Sequence, residues 1–326
     1  MCNVKMGHRT MPEDNVAANG TQAPEVPAST RADDAVHIDA RNGGPNKDNL
    51  VSAKRHWDME TDIPWDKFDP DKVPPELLKI LKAASMVEYN ARDYATYLCN
   101  VFHDDPKFQA DAKAWAQEEV QHGAVLGKWC EYADPNWDHD AHFERFVAGF
   151  RPDISATNSI RGSRAGELVA RCMVEVGTSS YYGSMGQVTE EPVLKEICKR
   201  IAADELRHYK MFYANLKRYL DIEHPSKFQR FKVALGRVVE AEDDELSYAY
   251  YAANAPEDAP YDRKYYNSAY MRRAFEYYSP KQIERAVSMT WKASGLNPQS
   301  RTANLAARAA WRFVRYKANR LAAQGM

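Results

Sequence analysis

The sequence predicts an all-α protein: a four-helix bundle made of two helical hairpins joined by a long crossover, with additional helices towards the C terminus. Three observations carry this reading. Apolar residues recur at helical spacing in four segments. Prolines punctuate those segments, while glycine-rich strand signals are scarce. A Glu-x-x-His motif occurs twice, at Glu119–His122 and Glu205–His208, and each copy has another apolar-flanked glutamate upstream, Glu88 and Glu175, at 31 and 30 positions.

Residues 1–50 are rich in Ala, Asn, Pro, Gly and Asp and poor in large apolar side chains, a composition that cannot offset the entropy of ordering a chain. Disorder is expected there. The start lacks the apolar run of a secretion signal, and Glu13, Asp14, Asp33 and Asp34 argue against a transit peptide. Residues 51–225 are expected to form the bundle, introduced by a strap of Trp57, Ile63, Pro64, Trp65 and Phe68 that covers it. Helices are predicted near 75–103, 107–132, 160–188 and 190–220, with Pro106, Pro135, Pro192 and Pro225 at the breaks. More than fifty positions separate His122 from Glu175, which suits a crossover between hairpins, and Phe143 to Phe150 within it reads as a short helix. Residues 226–326 are expected to pack on the bundle as a helical extension, with patterns near 226–253, 262–278, 280–294 and 301–322.

At 326 residues and 44% hydrophobic content the chain can bury a sizeable core. A formal charge of −2 gives no sign of nucleic-acid binding, and no stretch approaches the apolar length of a membrane span. Five cysteines without a Cys-x-x-Cys pair fit a reducing cytoplasm and offer no iron–sulfur ligation, so electrons would have to come from another molecule. The tyrosines Tyr248, Tyr250, Tyr251, Tyr265, Tyr266, Tyr270, Tyr277 and Tyr278 read as packing or subunit interface. After Glu284 no acidic residue remains, and Arg308, Arg312 and Arg315 share a helical face beside Trp311. Such a stripe is either a solvated face or a dock for an acidic carrier, a coenzyme A phosphate or an anionic membrane surface.

Residues three apart lie on one helical face, so each Glu-x-x-His pair can point at an ion between packed helices. Chance placement of this chain's Glu and His gives roughly 0.6 such spacings, so the motif persuades only through its register. Glu88 interrupts the stripe Leu77, Leu81, Ala84, Ala91, Ala95, Leu98, Phe102. Glu119 and His122 interrupt Ala112, Trp115, Leu126, Trp129, and Glu205 and His208 interrupt Leu194, Ile201, Phe212, Tyr219. Glu175 lies with Leu168, Cys172, Ser179 and Tyr182, and rests mainly on its distance from Glu205. Carboxylates on buried stripes are costly unless a counter-charge meets them, and metal ions supply one. Four carboxylates and two imidazoles favour two iron ions, with manganese also suited to one position, over thiolate-preferring structural zinc. The plain alternative is ion pairing with Arg92, Lys113, Arg200 or Arg207.

The run from Ile197 to His208 resembles the fourth core helix of soluble acyl-acyl carrier protein desaturases, a ferritin-like di-iron carboxylate family. Trp115 to Gly123 is similar to the same family's tryptophan-led Glu-Glu-x-x-His-Gly segment, and Thr178 follows Glu175 by three positions, as does the family's threonine beside the oxygen-binding face. The resemblance covers residues 80–220. It implies an oxygen-dependent oxidoreductase that removes hydrogens from a methylene pair of a thioester-bound fatty chain, and it makes Glu88, Glu119, His122, Glu175, Glu205 and His208 the iron ligands, with Glu119 and Glu205 bridging. It pairs Asp204 with His122, and pseudo-symmetry then assigns Glu118 to His208. Trp115 would extend an electron path inward, or serve as a bulky core residue. Thr178 would deliver a proton, or simply bond back to the preceding turn, and Gly177 beside it would leave room for oxygen or for substrate in an apolar tunnel.

The resemblance further implies a homodimer, an electron donor such as ferredoxin, and acyl carrier protein or acyl-CoA as the carrier of substrate. A hydroxylase acting on a small or carrier-tethered substrate is the alternative, because it shares the first hydrogen abstraction. A ribonucleotide reductase small subunit would place a tyrosine where Leu126 stands, and an arylamine N-oxygenase a histidine where Ile201 stands. A ferritin would end soon after the fourth helix.

Overall fold

In the computed structural model, residues 56–240 and 244–323 are described, and the reading of residues 1–50 as disordered concerns residues outside them. The described residues hold helices and no strand. After two short 3-10 turns at Trp65–Lys67 and Pro70–Lys72 come α1 (Pro75–Tyr89), α2 (Ala91–Val101), α3 (Pro106–Ala133), α4 (His139–Gly149), α5 (Arg164–Val188) and α6 (Pro192–Glu223). The C-terminal part contributes α7 (Lys227–Val239), α8 (Asp244–Asn254), α9 (Arg263–Glu276), α10 (Pro280–Ala293) and α11 (Arg301–Ala323).

Local chemistry sets most of these boundaries. A capping side chain followed by proline starts α3 (Asp105, accepting from Phe108 N–H), α6 (Glu191) and α10 (Ser279, accepting from Gln282 N–H). Ser163, Asp138 and Asp262 cap α5, α4 and α9, and Ser226 with Gln229 forms a reciprocal capping box on α7. His224 ends α6 in the left-handed region at φ 48°.

The single helix expected over 75–103 is two. Asn90 adopts φ −78°, ψ 6°, its N–H reaches back to Met86, and the helix axis is interrupted two residues after Glu88. Asparagine competes with helical backbone bonding and tolerates this bridge conformation, which periodicity alone does not report. The crossover helix expected at 143–150 begins earlier, at His139, because Asp138 supplies its cap. The pattern over 226–253 resolves into α7 and α8.

α5 packs along α6, α1 and α2 pack on α3, and α3 meets α6, which closes the four-helix core. The helices after Pro225 pack on this bundle: α8 lies against α1 and α4, α10 against α5, and α11 against α9 and α10. The apolar interior is divided in two. One cluster contains Leu77, Leu81, Leu126, Trp129, Tyr182, Met185, Leu194 and Ile197, and the other contains Leu98, Phe102, Phe108, Trp115, Leu168, Cys172, Phe212 and Leu216. All four helical rods contribute to both clusters, and on each rod the changeover falls at the same level.

Glu191 shows how the first cluster is tied together. Fully buried, it accepts from Val193 and Leu194 N–H at the start of α6, from the Trp129 indole of α3 at 2.7 Å, and from Asp69 N–H of the strap. Glu191→Ala removes a helix cap and leaves the Trp129 N–H without its partner. Chemical denaturation should register a loss of about 2–4 kcal/mol.

Candidate metal centre

Between the two apolar clusters lies a polar layer. Glu88 comes from the end of α1, Glu119 and His122 from α3, Glu175 from α5, and Glu205 and His208 from α6. Glu88 is half-buried and the other five are buried. Their donor atoms form two groups, Glu88, Glu119, His122 and Glu205, and Glu119, Glu175, Glu205 and His208, with the atoms of each group within 4.8 Å of one another. Glu119 and Glu205 belong to both groups. The approach of α1 to α3 depends on Gly123, beside His122, because a Cβ there would run into the Tyr89 backbone and the Ser85 carbonyl.

Each imidazole is held from behind. His122 Nε2 lies 3.1 Å from Asp204 Oδ2, and His208 Nε2 lies 2.8 Å from Glu118 Oε2. A carboxylate can only accept, so both Nε2 atoms carry the proton and both Nδ1 atoms face the layer. His122 Nδ1 stands 3.1 Å from Glu119 and 3.3 Å from Glu205, and His208 Nδ1 stands 3.0 Å from Glu119 and 3.6 Å from Glu175. Arg207 joins the two outer carboxylates, reaching Glu118 at 3.0 Å and Asp204 at 2.5 Å. Arginine therefore pairs with the outer acids and not with the inner ones.

Sequence spacing gave no hint of two further contacts. Trp57, from the strap, donates its indole N–H to Asp204 at 2.7 Å and stacks nearly parallel on His122, with ring centroids 6.1 Å apart. It lies 147 positions from Asp204, and periodicity carries no information over that distance. Tyr182 donates to Glu88 at 2.6 Å. Trp115, in contrast, lies in the second apolar cluster, edge-on to Phe212 at 5.5 Å, with its indole N–H unpartnered.

Thr178 bonds back to the preceding turn and also reaches the layer. Its hydroxyl reaches Glu205 Oε2 at 2.5 Å and the carbonyls of Val174 and Glu175 at 3.2 and 3.3 Å. One hydroxyl proton serves these acceptors, so they are alternatives. A Cβ on Gly177 would meet nothing within 4 Å, so there is open space at that position of α5. Two clefts lie elsewhere, one of about 470 Å³ between α10 and α11 and one of about 580 Å³ beside α3 and α4.

Burial and neighbouring charge shift most of the groups in the layer. Burial, reinforced by the charges of Glu119 and Glu205, pushes Glu88 well above the usual carboxylate range, and burial together with Glu205 does the same to Glu175. Burial also acts to raise Glu119, but His208 and His122 overcome it and hold this carboxyl low. Burial works against charging both imidazoles, yet Asp204, Glu119 and Glu205 raise His122, and Glu119, Glu118 and Glu175 raise His208. Both Glu175 oxygens, Glu205 Oε1 and His208 Nδ1 are buried without a hydrogen-bond partner. Buried polar atoms left in this state are costly. Their inward aim and the charge of four carboxylates with two neutral imidazoles fit two divalent cations.

Among proteins of known sequence families, residues 93–240 match the family described as fatty acid desaturase. The match spans Glu119, His122, Glu175, Thr178, Glu205 and His208 and supports a relation to that family; Glu88 and Trp57 lie outside it. No curated protein matches the chain.

Two outcomes follow for metal loading. Glu119→Ala, which removes a carboxylate common to both groups, should lower bound iron at both positions, and His208→Ala at one, with helical circular dichroism retained; a wild-type iron-to-protein ratio in both variants would sink the ligand assignment. The upward shifts of His122, His208, Glu88 and Glu175 favour protons at positions where a cation would compete with them. Loading should therefore release protons, and apparent affinity should fall as pH drops from about 7.5 to about 6, as read by titration in a pH-stat.

Proposed function

We propose that this protein is an oxygen-dependent di-iron oxidoreductase of ferritin-like architecture that desaturates a fatty-acyl chain carried as a thioester. The observation that carries the reading is the enclosed layer in which two four-residue donor groups share Glu119 and Glu205. The family match over residues 93–240 supports the acyl substrate class. Iron held by Glu88, Glu119, His122, Glu175, Glu205 and His208 would supply the dioxygen chemistry needed to oxidise an unactivated methylene. Manganese suits the same donors at one position.

The protein's own side chains do the rest. The Asp204 and Glu118 carboxylates fix both imidazoles with Nδ1 inward, and Arg207 pairs with both carboxylates and holds them in place. Trp57, joined to His122 through Asp204 and flanked by the half-exposed His56, provides an aromatic route from the surface for electrons from a ferredoxin-type donor. Thr178 can swing its proton between helix carbonyls and Glu205, which suits proton delivery at the edge of the layer. The open space at Gly177 is where the acyl chain would lie. The clusters above and below exclude water from the oxidising centre.

Mass spectrometry of acyl-carrier-protein and coenzyme A thioesters, incubated with iron-loaded protein, oxygen and a reductant, tests the reading. The expected product has lost two hydrogens; gain of one oxygen atom would instead establish the hydroxylase, and unchanged thioesters would defeat both. Thr178→Val, which keeps the shape and removes the proton, should retain iron yet turn over about tenfold more slowly or worse.

A further inference from the structure

The outward face of α11 combines features that a solvated helix does not need. The inward face is small and apolar, with Ala303, Ala307 and Val314 buried against its neighbours. On the opposite face, large apolar side chains stand in water: Leu305 is 68% exposed, Phe313 55% and Tyr316 60%. Their positions, 305, 313 and 316, fall within one side of the helix, and Ala309 lies among them. Exposed arginines line the same side, Arg301, Arg308, Arg312 and Arg315, with Arg320 a turn further on. A purely soluble helix would place polar residues at 305, 313 and 316.

Charge is distributed just as unevenly. From Arg285 onward the sequence contains eight Lys and Arg and no Asp or Glu, although the whole chain is net −2. The rest of the molecule is therefore acidic. Near an anionic surface such a bipolar charge turns α11 towards the surface and the acidic body away. Arginines flanking exposed leucine, phenylalanine and tyrosine also match the chemistry of a lipid interface, where guanidinium groups meet phosphates and the apolar side chains enter the acyl boundary.

We propose that the outward face of α11 docks this protein on an anionic phospholipid surface. The helix lies in the plane of the interface and does not cross it, in keeping with the finding that no helix among the described residues is long and apolar enough to span a membrane. The inference goes beyond the proposed reaction and requires neither metal nor turnover, so each can fail without the other.

Co-sedimentation of the full-length protein with vesicles tests it. Vesicles containing phosphatidylglycerol should bind at least about tenfold more strongly than phosphatidylcholine alone, and added salt should weaken the binding. Replacing Arg308 and Arg312 together with Gln should weaken binding about tenfold, as should replacing Leu305 and Phe313 together with Ser, with helical content and melting temperature unchanged. Binding that is absent, indifferent to lipid charge or insensitive to both pairs of substitutions would overturn the proposal. So would a dimer in analytical ultracentrifugation that the Leu305 and Phe313 substitutions dissociate, since a second copy would then cover the face. Retention on immobilised acyl carrier protein without binding to anionic vesicles would assign the face to an acidic protein and equally overturn it.

Discussion

A single layer of four carboxylates and two imidazoles, set across the middle of an otherwise apolar bundle, is the constraint on which the rest of this structure depends. Ionised carboxylates in such a place cost several kcal/mol each by desolvation alone. Burial and neighbouring charge push the Glu88 and Glu175 carboxyls and both imidazoles upward, which opposes ionised carboxylates at Glu88 and Glu175. Both Glu175 oxygens and His208 Nδ1 are without hydrogen-bond partners. A layer like this persists only if the surrounding fold holds it open. The two apolar clusters do so from either side, since the four rods that carry the layer are packed both above and below it.

The support around the layer is as specific as the layer itself. Asp204 is the hub: it takes contacts from His122, Trp57, His56 and Arg207 and so links a candidate ligand, the strap and α6. Glu118 plays the matching part for His208, and Arg207 serves both. The strap is thus attached to the centre through chemistry as well as through burial of Trp57 and Ile63. On the opposite side, Tyr182 fixes Glu88, the one inner carboxylate on a helix that ends a residue later. These attachments restrict the geometry of the candidate ligands, while space for a Cβ remains at Gly177 on α5.

Much of this was legible along the chain because it is periodic. Stripes at helical spacing located the rods, prolines behind capping residues set the starts of α3, α6 and α10, and glutamates and histidines interrupting those stripes, with Glu175 added by its distance from Glu205, pointed to the six side chains that share one layer. Other features escaped for identifiable reasons. The break at Asn90 is a local backbone choice that leaves the apolar stripe almost unaltered. Trp57 read as a covering residue because nothing in its neighbourhood reveals a partner 147 positions away. By sequence Arg207 is a candidate counter-ion for the inner acids, yet its length and exposure carry it outward to Glu118 and Asp204.

The sequence by itself determined which residues are helical, which faces are apolar and which acids interrupt those faces, since all three follow from interactions between residues a few positions apart. Tertiary structure alone decided that the interruptions on separate rods meet at one level, that Glu119 and Glu205 are common to both donor groups, and that the remaining carboxylates and Trp57 close around the histidines. Those facts depend on how rods slide and rotate against one another, which is set by side-chain packing across the whole bundle and is written in no local pattern.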